Sequence, residues 1–167
     1  MKITEVQTIP VTKMQHGTLG YLVLVKTDEE IVGLGEVAAD CHPETTAFAI
    51  RQMDLIGRDP MAIEKFWQDL YQGSFWRGGP IWTSAISGVE QALWDIKGKY
   101  LGAPVYQLLG GKLRDRIELY THTLFGNQSP EEFADSAHQA VELGFRAVKC
   151  DPLGSAQQRM DIAEMRL

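Results

Sequence analysis

Cysteine is scarce in these 167 residues: Cys41 and Cys150 stand far apart and without CxxC spacing. Neither a disulfide framework nor a structural zinc site is signalled, which suits a reducing cytosol. Dense runs of lysine or arginine are missing as well, and the formal net charge is −6. A surface of that sign does not neutralise a polyphosphate backbone, so the expected partner is a small molecule and not nucleic acid. Long apolar runs are absent. The stretch Tyr21 to Val25 falls far short of the roughly 20 residues that span a bilayer. The start, Met1-Lys2-Ile3-Thr4-Glu5, lacks the apolar segment of a secretory leader. A soluble, cytoplasmic protein with no membrane partner is the expectation.

What is present is an ordinary globular composition, 44% hydrophobic and 23% charged, which argues against disorder. Ile3, Val6, Ile9 and Val11 interleave with polar residues and Pro10 restricts pairing at the end, so Ile3 to Val11 reads as a strand, an edge one. Tyr21 to Val25, the polar turn Thr27-Asp28-Glu29-Glu30 and the return Ile31 to Glu36 make a β-hairpin. Lys13 to Gly20 has no apolar period and reads as a mobile loop. A helix follows Pro43 with Phe48, Met53 and Ile56 on one side, stopping at Gly57 to Pro60. A second carries Ile63, Phe66, Trp67 and Leu70 and ends near Gly73; Trp67 and Trp76 read as core anchors.

The longest helical pattern runs from about Trp82 to Leu101, with Ile86, Val89, Leu93, Ile96 and Tyr100 as its stripe. Ser87 and Glu90 have capping-box spacing, but the stripe begins earlier, so the cap is expected at Thr83 or Ser84. Gly102 and Pro104 end the helix, and Gly110-Gly111 marks a domain boundary, giving residues 1–111 and 112–167. Beyond it comes strand, helix, strand, helix: Ile117 to Thr123, Pro130 to Leu143 capped by Ser129, Arg146 to Cys150, and Ser155 to Leu167. That order specifies βα units and a parallel sheet. Two such strands cannot close a barrel, so the chain reads as truncated.

The segment Ser87-Gly88-Val89-Glu90-Gln91-Ala92-Leu93-Trp94-Asp95-Ile96-Lys97-Gly98-Lys99, continued by Leu101 to Gly111, resembles the signature of the mandelate racemase and muconate lactonizing enzyme family of the enolase superfamily. The element order agrees along essentially the whole chain. The resemblance implies an α+β capping domain, an antiparallel β-meander with helices, followed by the first βα units of a modified TIM barrel. By itself the segment reads as structural: Gly88, Ala92 and Gly98 permit close packing, and Trp94 and Asp95 tie the helix to its neighbours. The run Phe75 to Ile81 is also similar to that of galactonate dehydratase-like members.

The resemblance further implies a divalent metal, usually Mg²⁺, held by three carboxylates on barrel strands three to five. Those strands would follow Leu167, so no residue of this chain is assigned as a metal ligand. What falls inside the chain is the end of the second barrel strand, Val148-Lys149-Cys150-Asp151-Pro152. Many members carry Lys-x-Lys there; this chain has Lys149 and Asp151, two apart and on one side of the strand. A neighbouring carboxylate favours the ammonium form of lysine. Lys149 is therefore a poor base and a good holder of carboxylate or enolate charge. The same two residues could instead form an ion pair with no part in catalysis.

By the same resemblance the loop bearing Met14, Gln15 and His16 closes over the active site and contacts substrate, and Cys41 and His42 face the barrel mouth. His122, between Thr121 and Thr123 near the end of the first barrel strand, either reaches the pocket or packs in the core. His138 lies within a helix and reads as surface. The resulting expectation is a Mg²⁺-dependent dehydratase of a sugar acid, assembled as a homo-oligomer. Lys149 and Asp151 are its catalytic candidates within this chain, and Met14, Gln15, His16 and His122 its substrate-binding ones. The alternatives are a racemase or epimerase of the same superfamily, or, for this chain by itself, a non-catalytic binding or assembly module.

Overall fold

Three strands open the chain: β1 (Ile3–Lys13), β2 (Gly17–Thr27) and β3 (Val32–Ala38), paired antiparallel in that order. A computed structural model describes residues 1–13, 17–38, 42–73, 75–122 and 130–149. Alternation decides which face of this sheet is wet. Val23, Val25, Gly33, Gly35 and Val37 are buried on one side. Leu34 and Glu36 are exposed on the other, as are Ile9 and Val11, while Leu22 and Leu24 are half-buried there. The ladder between β1 and β2 continues to Lys13↔Gly17, with a register shift between Val11 and Thr12. Most of the segment expected to be a loop, Lys13 to Gly20, is therefore sheet. A ladder is made of backbone bonds and does not require an apolar side-chain period.

Among the described residues four helices follow in the first unit: α1 (Pro43–Arg51), α2 (Ile63–Gln72), α3 (Gly79–Leu101) and the single turn α4 (Val105–Leu108). α1 buries Thr46, Ala47 and Ile50; of the three residues expected on its apolar side Met53 is buried, whereas Phe48 and Ile56 are exposed. The helix stops at Arg51, which leaves Met53 to enter the core from the following turn, and the small Ala47 lets the helix approach closely. α2 buries Ile63 and Phe66, with Trp67 and Leu70 packed at the edge of the core. Trp76 does not join them: it is 80% exposed, in edge contact with an equally open Phe75.

The central element is α3. Ile86, Val89, Leu93 and Ile96 are all buried, each contributing about 2 kcal/mol through apolar burial. Tyr100, at the end of the same stripe, is exposed. Its N-cap is Gly78 and makes no side-chain bond; Thr83 instead donates its hydroxyl back to the carbonyls of Gly79 and Pro80. The cap expected at Thr83 or Ser84 moves forward because Pro80, with its fixed φ and no N–H, suits the first helical turn. At the other end Gly102 adopts φ 64°, a left-handed stop favoured by glycine.

α3 lies directly beneath β3. A Cβ on Gly33 would strike the carbonyl oxygen of Ala92, and one on Gly35 that of Gly88. Backbone meets backbone at this contact, so its side chains wrap around the strand's outer edge. Leu34 donates its N–H to Asp95 at 2.8 Å, and Glu36 donates its own to Gln91 at 3.1 Å. Gln91 returns its amide N–H to the Glu36 carbonyl at 3.4 Å, and Lys99 donates to the Val32 carbonyl at 2.6 Å. Gln91, Asp95 and Lys99 recur every four residues, one face of the helix, and complete the edge that β3 would otherwise expose. Asp95 is thus the tie to a neighbour that its place in the signature suggested. Trp94 bonds within its own helix, to Glu90 at 3.3 Å.

The chain falls into two compact units, Met1–Lys112 and Leu113–Leu167. The second contains β4 (Thr121–His122), α5 (Pro130–Glu142) and β5 (Val148–Lys149), with β4 and β5 parallel. Strand followed by helix followed by parallel strand is the βαβ unit expected. Of the strand expected at Ile117 to Thr123, residues 117–120 lie outside the ladder, since the described partner strand is only Val148 and Lys149, and Thr123 lies outside the described residues. The proposed cap Ser129, Cys150 and the helix from Ser155 to Leu167 lie outside the described residues. Among the described residues no helix is long and apolar enough to cross a membrane.

Candidate functional site

The second unit holds the strand ends at which parallel sheets take ligands. Thr121 pairs with Val148 and His122 with Lys149. The pairing is anchored by the Thr121 N–H donating to the Ala147 carbonyl at 3.2 Å. On the N-terminal side of both strands Arg146 meets Glu118 at 3.5 Å, a surface pair. On the C-terminal side stand His122, half-buried, and Lys149, exposed. Residues paired across adjacent strands project from the same face of a sheet. These two therefore share one face at one end.

Sequence reasoning had joined Lys149 to Asp151 and treated His122 separately. Asp151 lies outside the described residues, as do Met14, Gln15, His16 and Cys41. His42 is exposed at the N-cap of α1 with φ 53°; its carbonyl accepts from the N–H and the hydroxyl of Thr46, and its imidazole makes no capping bond. His138 is exposed on α5. The nearness of His122 to Lys149 was missed because it depends on strand register. The available signal was their similar place, each near the end of its strand in one βαβ unit.

In the first unit, the ends of β1, β2 and β3 that lead into residues 14–16 and 39–41 lie together, since Lys13 pairs with Gly17 and Gly20 with Ala38. Near that end a shallow groove of about 320 Å³ is lined by Glu36, Val37, Thr83, Ser84, Ser87 and Gln91. A second cavity of about 270 Å³ is walled by Ile3, Ala62, Phe66 and Leu93, among others. It abuts Ile3, the opposite end of β1, some ten residues and roughly 30 Å along the strand from the loop end. Three of the charges on its rim are paired with one another, Arg58 with Asp69 at 3.3 Å and Lys65 with Asp69 at 3.0 Å, and the Asp59 carboxylate accepts the Met61 N–H at 2.9 Å. Its walls belong to the core, and it reads as a packing gap.

No group of three or more His, Cys, Asp or Glu side chains converges among the described residues. They accordingly do not make a site for a divalent cation, whose hard-oxygen coordination needs several such ligands.

The sequence model of the mandelate racemase / muconate lactonizing enzyme N-terminal domain matches residues 2–110. The chain is 40% identical, over all of its length, to a D-galactonate dehydratase of Verminephrobacter eiseniae, of which it covers 44%. It is 43% identical, over 92% of its length, to a D-galactonate dehydratase of Pectobacterium atrosepticum, of which it covers 40%. Among solved structures, an enolase from Pantoea ananatis with bound D-gluconate and Mg superposes with a TM-score of 0.77. That protein is 40% identical, and the match covers 90% of this chain and 36% of that one. The chain thus spans less than half the length of the curated relatives it matches.

Proposed function

The chain belongs to the mandelate racemase and muconate lactonizing enzyme family, and from that membership we propose that it forms part of a Mg²⁺-dependent hydro-lyase that removes water from a sugar acid. The observation that carries this reading is the identity of 40–43% to two D-galactonate dehydratases, extending over 92% or more of the chain. The neighbour with bound D-gluconate and Mg supports both the substrate class and the metal. The ligands of that metal are expected on barrel strands that would follow Leu167, and no residue of this chain is assigned as one.

In this reading the first unit is the capping domain and the second begins the barrel. Leu113, Ile117, Leu119, Tyr120, Val141 and Leu143 are exposed in the second unit. They are surface that further strands and helices would cover. The reaction is an elimination: a base takes the proton α to the carboxylate, a C=C bond forms as the β C–O bond breaks, and the β-hydroxyl leaves as water on taking a proton from an acid. Lys149 holds the carboxylate charge in place, and Asp151 orients Lys149 or accepts from a substrate hydroxyl. Met14, Gln15 and His16 belong to the segment that seals the site against water. His122 contacts substrate. The enzyme works in the cytoplasm as a homo-oligomer on a small carboxylate.

The test begins with the intact mass of the purified polypeptide against the 18.7 kDa of this chain. A larger polypeptide is then offered a panel of aldonic acids with Mg²⁺, and the loss of water is followed by mass spectrometry. Dehydration of one acid is expected. Inversion at the α-carbon with deuterium incorporation and no loss of water would replace the dehydratase with a racemase or epimerase. A polypeptide of 18.7 kDa that turns over no acid would leave a binding or assembly module.

A further inference from the structure

The outer face of the three-stranded sheet is apolar, whereas a sheet face turned to water is ordinarily polar. The cross-strand pairs Ile9↔Leu22 and Leu24↔Leu34, with Val11 beside them, extend over all three strands. Ile9, Val11 and Leu34 are each 40% or more exposed, and Leu22 and Leu24 are half-buried. Contiguous apolar surface of this kind marks contact with another macromolecule. The lateral route at β3 is closed by α3, which covers that edge. A partner therefore meets this surface face on.

The charges around the patch point to the partner. Lys26 lies two residues from Leu24 along β2 and Glu36 two residues from Leu34 along β3. They flank the Leu24–Leu34 row on opposite sides, since Lys26 pairs with Val32 and Glu36 with Leu22. A twofold axis running across the strands at this row lays Leu24 on Leu24 and Leu34 on Leu34 of a second copy, a self-complementary contact. The same axis exchanges the two sides of the row. Lys26 of each copy then comes level with Glu36 of the other, one strand or about 4.8 Å aside. Lys26 holds Glu5 of its own chain at 2.9 Å, and an ammonium with three donors can serve both carboxylates.

We propose that this face is a contact between two copies of the chain, packed sheet on sheet, with Leu24 and Leu34 at its centre and two Lys26–Glu36 pairs at its rim. Four outward residues on each of three strands span on the order of 400 Å². A standard interface buries about 800 Å² per partner, so the contact is weak and depends on concentration. It rests on the homo-oligomer of the proposed function and adds the surface that forms it.

The test is the particle mass of the complete polypeptide, followed by sedimentation velocity over a dilution series. Leu34→Lys places an unpaired charge at the centre twice per interface, and the dissociation constant should rise about tenfold or more. Phe48→Lys, at an exposed position of α1 on the helical side of the sheet, should leave it unmoved. Glu36→Lys weakens association, and adding Lys26→Glu restores it; this pair decides the matter if Leu34→Lys does not fold. Unchanged association in Leu34→Lys and Glu36→Lys overturns the contact and leaves the homo-oligomer to another surface. A wild type that stays monomeric at every concentration overturns both. A lower unfolding midpoint in Leu34→Lys at unchanged particle mass assigns the face to further parts of the same chain, which also overturns the proposal. Dehydration of sugar acids, assayed on the same samples, reports separately on the proposed reaction.

Discussion

Asp95 accepts the backbone N–H of Leu34 at 2.8 Å and the ammonium of Lys99 at 2.7 Å, joining a helix to a strand 61 residues earlier. At this point the family signature holds helix to strand by hydrogen bonding and close packing. Asp95→Ala strips the edge amide of its partner and leaves Lys99 without its i−4 carboxylate. The site is part-exposed and water can replace the bond, so a loss of about 1 kcal/mol is expected. Urea unfolding of Asp95→Ala, Lys99→Ala and the double variant measures it, and the double variant should cost less than the sum.

Gly35→Ala should be far more damaging. The new methyl meets the carbonyl oxygen of Gly88, and a main-chain atom cannot turn aside as a side chain can. About 3 kcal/mol is expected from overpacking at such a contact. Gly57→Ala is the comparison: that position has φ 82° with open space around it, and the left-handed backbone alone costs about 1 kcal/mol. Near-equal unfolding midpoints for the two variants would contradict the close approach of α3 to β3.

The tryptophans separate in the same assay. Trp76 is exposed, so Trp76→Ala should leave stability within about 0.5 kcal/mol of the parent. Trp82 packs against the core and donates its indole N–H to the Leu70 carbonyl at 2.9 Å. Trp82→Phe loses that bond and should cost about 1 kcal/mol.

Glu5 supplies a pH test. Its carboxyl lies below the ordinary value of 4.5, chiefly because Lys26 donates a hydrogen bond to it and secondarily because Gln7 does. A lowered folded value means that the contribution to stability is present above 4.5 and disappears as pH falls through the folded value. Carboxyl NMR titration should place the Glu5 midpoint below 4.5 and return it upward in Lys26→Ala. An unmoved midpoint in the variant would show that Lys26 is not the cause.

Local periodicity made most of the first unit legible. Ile86, Val89, Leu93 and Ile96 repeat at helical spacing, and β2 and β3 alternate on either side of a polar turn, so both patterns are visible without knowing any neighbour. Phe48 and Trp76 misled because size and spacing invite burial, while the position at which a chain leaves its helix is decided by tertiary packing. The α1 face turned on where the helix stopped, at Arg51. Gly33 and Gly35 gave no hint of what lies against them, since a missing side chain is silent about its surroundings. The candidate site was legible as residue types, Lys149 and His122, and not as a pair. Strand register depends on two segments at once, and neither contains it.

The covering of β3 by Gln91, Asp95 and Lys99 makes this sheet asymmetric in how it can grow. Counted in strands it has three; counted in hydrogen-bonded edges, α3 stands in for a fourth on one side. Another peptide backbone joining the sheet has to arrive along β1, where Pro10 offers no N–H. The direction from which this unit can be extended, by a second chain or in aggregation, is therefore set by side chains of a helix that itself belongs to no sheet.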